Sequence, residues 1–102
     1  MGKHLHPGEF LMKMYIEPLD MEVEPLAIHL GIKPEILQEL LDCKRSIDPE
    51  LAMRLSRAFR TSIAHWMNLQ QMYDVFEMMH MSSSWKNVKP LIIFPDEIDN
   101  EK

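Results

Sequence analysis

Apolar residues recur at intervals of three and four along most of the chain, which is the pattern of amphipathic helices that bury one face. A first helix is predicted to begin near Pro7 and to end before Pro18, because proline cannot continue a helix. Two further helices, at 23–30 and 34–41, meet at Gly31, whose backbone freedom suits a sharp corner. The predicted core residues of these three helices are Phe10, Leu11, Met14, Tyr15, Val23, Leu26, Ala27, Leu30, Leu37, Leu40 and Leu41.

A fourth helix has the clearest start signal, with Asp48 as its N-cap and Pro49 at its first helical position. A fifth helix begins after Ser62. Five helices with short connections predict an all-α bundle. The predicted core residues of the last two helices are Leu51, Leu55, Ala58, Phe59, Trp66, Leu69, Gln70 and Tyr73.

The fifth helix carries a second apolar stripe, which is rotated around the helix from Trp66 and Tyr73. Its members follow the helical spacing and are Met72, Val75, Phe76 and Met79. A five-helix core does not need this second stripe, and an exposed apolar stripe usually marks an interface. The pattern therefore predicts a homodimer formed through the fifth helix.

Composition and charge fit one small domain, with 46% hydrophobic and 26% charged residues in a chain of 102. No membrane-length apolar run and no signal peptide are found, and a single cysteine fits a reducing compartment, so a cytoplasmic protein is expected. The net charge of -5 argues against a generic nucleic-acid binder. Residues 43–70, however, carry five basic against two acidic side chains. This zone could contact phosphates or be ordinary solvated helix surface.

The sequence offers little for catalysis or for a bound group. It contains no nucleophile–base arrangement, glycine-rich phosphate loop or paired-carboxylate pocket, so no enzyme activity and no cofactor are expected. His4 and His6 are expected in a mobile N-terminus, and the other histidines are far apart in sequence. No metal site is therefore predicted.

Three motifs in order along the chain carry a resemblance. They are Pro-Gly-Glu-Phe-Leu at 7–11, the helix pair joined by Leu-Gly-Ile at 30–32, and Ser-Ile-Ala-His-Trp-Met-Asn-Leu-Gln at 62–70. Together, over roughly residues 6–75, the chain resembles the HigA-type antitoxins, small bacterial repressors of the lambda-repressor-like helix-turn-helix class. The resemblance implies a DNA-binding bundle that binds operator DNA and neutralises a small ribonuclease toxin. Family members commonly carry glycine where this chain has Cys43 and Arg60.

In this class the second helix of the motif enters the major groove. Its outward face here carries Glu35, Gln38, Glu39 and Asp42. Gln38 could make a bidentate contact with adenine, and a carboxylate can accept from the cytosine amino group. Phosphate contacts are expected from the basic dipeptide Lys44-Arg45 that follows this helix, and Lys33 is a second candidate. The alternative is that the two positive charges only stabilise the C-terminal end of the helix through its dipole. The predicted DNA-binding residues are Lys33, Glu35, Gln38, Glu39, Lys44 and Arg45.

The last segment breaks the helical pattern, so the chain is divided into a helix-turn-helix domain at 1–81 and an extension at 82–102. Residues 88–94 are rich in β-formers, and an exposed apolar strand invites association. The segment is expected to pair with the same segment of a second copy, adding Leu91 and Ile93 to the dimer interface, or to pair with the edge of a toxin's sheet. The alternative is that it packs unpaired over Trp85.

Three functions remain open at this stage. The first is an antitoxin that represses its own operon. The second is a protein-binding module that has kept the fold but has weak DNA affinity, as the acidic face of the second motif helix suggests. The third is a plain transcriptional regulator without a toxin.

Overall fold

The computed structural model describes residues 5–92, and it confirms the all-α fold class. A first helix, α1, changes into a π-helical turn, four further helices follow, and a 3₁₀ turn comes last. Residues 5–92 contain no strand. The bounds are α1 Pro7–Leu11, the π turn Met12–Ile16, α2 Val23–Leu30, α3 Pro34–Leu41, α4 Pro49–Phe59, α5 Ile63–Met81 and the 3₁₀ turn Ser84–Asn87.

Local capping signals explain where the later helices begin. The Asp48 side chain accepts a hydrogen bond from the amide of Leu51 at 2.9 Å, and Pro49 is the first residue of α4. The Ser62 hydroxyl accepts from the amide of His65 at 3.0 Å at the start of α5. The predicted starts of both helices are confirmed.

Trp66 lies at the centre of the core, as predicted, with no exposed surface. Rings of Phe10, Tyr15 and Phe59 surround it at centroid distances of 5.8, 6.2 and 6.4 Å. Its indole N–H donates to the Thr61 hydroxyl at 2.7 Å, so its polar atom is satisfied. This tryptophan holds α1, α4 and α5 together.

The prediction that Met14 belongs to the core is wrong, because its side chain is 55% exposed. The π turn explains this difference: the amide of Glu17 donates to the carbonyl of Met12, five residues earlier. The wider turn rotates the buried face, so that Ile16, five residues after Leu11, enters the core instead.

The expectation of a mobile N-terminus is wrong for His6, which is buried. His6 is the N-cap of α1: its Nδ1 atom accepts from the amide of Gly8 at 3.0 Å, and its ring lies edge-on to Tyr73 at 4.9 Å. Gly8 itself packs so closely on α3 that an added Cβ would overlap the carbonyl oxygen of Leu40. The chain is thus anchored from residue 6 onward, and His4 lies outside the described residues.

Gln70 joins the connection between α3 and α4 to α5. Its Oε1 atom accepts from the buried amide of Ile47 at 2.7 Å, and its Nε2 atom donates to Asp74 at 2.9 Å. The Oε1 atom of Gln70 thus satisfies a backbone donor within the same chain. The bond fixes the segment that leads away from α3.

Candidate nucleic-acid interface

Helix α3 is held from one side and presents the other to solvent. Leu37, Leu40 and Leu41 are buried against α1 and α2, as predicted from their spacing. The outward face is fully polar, and every member is exposed: Glu35, Gln38, Glu39 and Asp42. The fold thus leaves the predicted recognition face open.

Two polar pairs organise this face. The Nε2 atom of Gln38 donates to Oδ1 of Asp42 at 2.9 Å, one helical turn further along. Arg45 donates from both Nε and Nη2 to Oε1 of Glu39, each at 2.9 Å. Both pairs are exposed, so each contributes little to stability. Their effect is to orient side chains rather than to hold the fold.

The predicted phosphate contacts lie at opposite ends of α3. Cys43 adopts a left-handed φ of 63°, and the amide of Lys44 donates to the carbonyl of Glu39 at 2.9 Å, which ends the helix. This turn brings Lys44 and Arg45 beside the C-terminal end of α3, whereas Lys33 precedes its first residue. The structure therefore brings together Glu39, Lys44 and Arg45, with Lys33 apart from them.

Arg54 is a residue that the sequence analysis missed. Its Nη1 atom donates to the carbonyl of Leu30, the last residue of α2, at 2.9 Å, and its Nη2 atom pairs with Glu50 at 3.0 Å. At the corner, Gly31 has a left-handed φ of 77°, and a Cβ there would lie 2.8 Å from Arg54 Nη1. The four-residue spacing of Glu50 and Arg54 was visible in the sequence, but the contact with the corner was not. Arg54 thus fixes the turn between the two motif helices.

The second apolar stripe of α5 is exposed in the single chain. Met72, Val75 and Met79 are 50%, 48% and 51% exposed, while Phe76 is partly buried and lies against the ring of His80 at 4.3 Å. Next to the stripe, a groove of about 300 Å³ is lined by four apolar side chains, which are Val75, Met78, Met79 and Trp85. The structure leaves this surface open for an apolar partner.

The C-terminal extension is seen only in part. Residues 88–92 form no strand within the single chain, and Leu91 is 99% exposed. The alternative in which this segment packs over Trp85 is therefore wrong for Leu91. Ile93 lies outside the described residues, and pairing with another chain stays a prediction.

Residues 5–92 hold neither a metal-binding cluster nor a membrane-spanning helix. No group of three His, Cys, Asp or Glu side chains in this part of the chain could hold a metal ion. None of the described helices is both long and apolar enough to cross a membrane.

Curated proteins similar to this chain include helix-turn-helix regulators. The uncharacterized HTH-type transcriptional regulator YbaQ of Escherichia coli is 35% identical over 72 residues, which cover 71% of this chain and 64% of YbaQ. The chain thus spans just under two thirds of that relative's length. Virulence-associated protein A of Dichelobacter nodosus is 38% identical over 86 residues, covering 82% of this chain and 84% of the relative. No family model matches the chain.

Solved structures decide the family. An addiction module antidote protein of a HigA family from Coxiella burnetii is 33% identical, with a TM-score of 0.80 over 86% of this chain and 98% of that one. The chain belongs to the HigA family of antitoxins. A second structure similar to this HigA-family chain is the Pseudomonas aeruginosa antitoxin HigA with the higBA promoter. It is 28% identical, with a TM-score of 0.81 over 88% of this chain and 100% of that one.

Proposed function

We propose that this HigA-family chain is a DNA-binding antitoxin that represses its own operon and neutralises a small ribonuclease toxin. The observation that carries the proposal is the open polar face of α3 with Lys44 and Arg45 beside it, in a fold shared with an antitoxin solved with its promoter. In helix-turn-helix proteins this helix reads bases in the major groove.

Phosphate contacts are assigned to Lys33, Lys44 and Arg45, and base contacts to Glu35, Gln38 and Glu39. Lysine and arginine contacts to phosphates orient the protein and supply most of the salt dependence, while side chains on α3 supply sequence preference. On binding DNA, the Arg45 guanidinium would release the Glu39 carboxylate and bind a phosphate instead, because it cannot make strong hydrogen bonds to both at once.

A homodimer is part of the proposal, because a palindromic operator needs two recognition helices one DNA turn apart. The exposed stripe of Met72, Val75, Phe76 and Met79 supports it, together with Leu91. Ile93 belongs to the same proposed interface by sequence. Two copies that cover this stripe would remove a contiguous apolar surface from water.

The toxin is proposed to be a small basic ribonuclease encoded beside this chain. Charge supports the pairing: residues 1–42 carry eight acidic against three basic side chains, and the whole chain has a net charge of -5. An enzyme that binds RNA presents a basic surface, which an acidic partner complements. Co-expression with the reading frame just upstream tests this: growth arrest by that frame alone should be relieved by this chain. Arrest that persists despite soluble antitoxin would refute the toxin part.

DNA binding is tested by titration of the purified chain against the operator region at low and moderate salt. Affinity should fall steeply as the salt concentration rises. Arg45→Ala and Lys44→Ala should each weaken binding to all sequences about equally. Each should also reduce the steepness of the plot of log binding constant against log salt concentration by about 0.9. Lys13→Ala removes an exposed lysine from the π turn after α1 and serves as the matched control. Equal losses from Lys13→Ala and Arg45→Ala would count against the assigned contacts.

The second candidate is a protein-binding module with weak DNA affinity. The observation that favours it is the acidity of the α3 face, where Glu35, Glu39 and Asp42 are exposed. Glu39 also forms an ion pair with Arg45, one of the proposed phosphate contacts. Carboxylates that face a polyanion weaken binding unless each meets a base amino group. Failure to bind operator DNA at low salt, with toxin binding intact, would favour this candidate.

A further inference from the structure

The apolar groove at the outer end of α5 has a fixed wall. It is lined by Val75, Met78, Met79 and Trp85. The indole N–H of Trp85 donates to the carbonyl of Ser82, the C-cap of α5, at 3.1 Å. The ammonium group of Lys86 lies 5.6 Å from the centre of the same ring, within cation–π distance. Both contacts hold the ring against the end of the helix, so the groove is already formed in the single chain.

The segment that follows this groove is apolar and is left uncovered by the described part of its own chain. Val88, Leu91 and Ile92 are all exposed, and Leu91 almost completely. Residues 88–92 form no strand, and Pro90 has no amide hydrogen to donate to a neighbouring strand. Such a segment is better suited to place its side chains in a groove than to extend a sheet. The same chain thus exposes both an apolar groove and an apolar segment.

Charge makes these two surfaces complementary. The outer half of α5, residues 71–81, carries two acidic side chains and no lysine or arginine. Residues 82–92 carry Lys86 and Lys89 and no acidic side chain. All four charged side chains are exposed. Opposite charges on two surfaces steer them together and fix the register of the contact.

We propose that the groove binds residues 88–92 of a second copy of this chain, with Leu91 as the inserted side chain. The inference rests on the homodimer of the proposed function and names the part of each copy that the other receives. Under two-fold symmetry each copy gives one segment and receives one, so the contact is made twice. Lys89 then approaches the acidic outer half of α5 in the other copy.

Disulfide formation between two variants tests which segment lies in the groove. In a Cys43→Ser background, which removes the native thiol, one chain carries Leu91→Cys and the other carries Met79→Cys. When the two chains are mixed under mild oxidation, the mixed covalent dimer should be the main cross-linked product. Met53→Cys is the matched control for Met79→Cys, because both methionines are 51% exposed and Met53 lies on α4. The control chain should form no cross-link with Leu91→Cys.

A second measurement does not depend on introduced thiols. Leu91→Asp should raise the dissociation constant of the dimer by about tenfold or more in sedimentation, because it places a charge in an apolar groove. Ile28→Asp changes an exposed apolar residue of α2 in the same way and should leave the dissociation constant unchanged. Circular dichroism should be the same for both variants and the wild-type chain.

The outcomes separate this inference from the dimer beneath it. A dimer that keeps its dissociation constant in Leu91→Asp and gives no mixed cross-link would overturn the proposed occupant while leaving the dimer intact. A main product that joins two Leu91→Cys chains would assign the segment to a ribbon between copies instead. A chain with both cysteines that closes a disulfide within the monomer would show that the groove is covered by its own segment. A wild-type chain that is only monomeric would overturn the dimer and this inference together.

Discussion

Individual buried polar side chains fix the contacts between elements of this bundle. His6 caps α1 and contacts Tyr73 of α5, while Gln70 accepts from the amide of Ile47. Burial lowers the pKa of His6 below its ordinary value of 6.5, and the nearby carboxylates of Glu9 and Asp74 counter part of this effect. A neutral ring is also what the cap requires, because only an unprotonated Nδ1 can accept from Gly8.

The lowered pKa of His6 predicts a loss of stability in mild acid. The unfolded chain takes up the proton first as the pH falls below about 6.5, so the contribution of His6 is complete above that pH and is lost progressively below it. The free energy of unfolding by urea should therefore fall between about pH 7.5 and about pH 5.5. His6→Asn, which keeps a capping oxygen, should reduce that fall.

A matched control is His29→Asn, which removes an exposed histidine from α2. It should leave the pH dependence of the free energy of unfolding unchanged. If both variants flatten the profile equally, the effect does not belong to His6.

At the scale of the element, left-handed residues end three of the helices. Gly31 follows α2 with φ 77°, and Cys43 and Arg60 follow α3 and α4 with φ 63° and 57°. Only glycine adopts this conformation without a steric penalty. The left-handed backbone thus gives a physical reason for glycine to be favoured at the positions of Cys43 and Arg60.

Arg60→Gly is predicted to stabilise the fold by roughly 1 kcal/mol, because it relieves the left-handed strain at the end of α4. Arg57→Gly, three residues earlier and inside the same helix, should instead destabilise it by about 1 kcal/mol through lost helix propensity. Both changes remove one exposed arginine, so charge is matched. The measurement is urea denaturation of the two variants and the wild-type chain. The prediction would be contradicted if both substitutions changed the free energy of unfolding in the same direction.

At the scale of the whole molecule, the two halves of α5 lie in different environments. Its first half buries Trp66 and Gln70 in the bundle, whereas residues 71–81 bury no side chain fully. A helix whose apolar side chains remain exposed over several turns is suited to contact another chain. The proposed boundary between domain and extension, after Met81, coincides with the end of this helix.

Dimerisation should depend on the outer half of α5. The double variant Val75→Glu with Met79→Glu places two charges in the exposed stripe and should give a monomer in sedimentation at micromolar concentration, with helical content kept. Gln71→Glu adds one charge at an exposed polar position of the same helix and should remain a dimer. A wild-type chain that sediments only as a monomer would refute the interface.

Removal of residues 86–102 tests the extension. The helical core should fold with its usual circular dichroism, because every buried residue of the described chain precedes this segment. Dimerisation or toxin binding should weaken if residues 88–94 pair with another chain. A truncated protein that keeps both its dimer and its toxin affinity would show that the segment pairs with neither.

The sequence by itself determined the helices and most of the core. Proline and the capping residues Asp48 and Ser62 set the starts of α3, α4 and α5, and Gly31 ended α2. These signals are local, acting within one turn of the helix, and can therefore be read without knowing what packs nearby. The helical spacing of leucines likewise fixed which face of α3 is buried and which is open.

Only the tertiary structure decided which distant residues meet. Nothing local indicated that His6 would be buried under Tyr73, or that Arg54 would reach back to the last carbonyl of α2. The π turn also escaped prediction, because a single shifted hydrogen bond changes the buried face from Met14 to Ile16 without a distinct sequence pattern. Contacts between residues far apart in sequence depend on how the helices pack, and this packing is a property of the whole core.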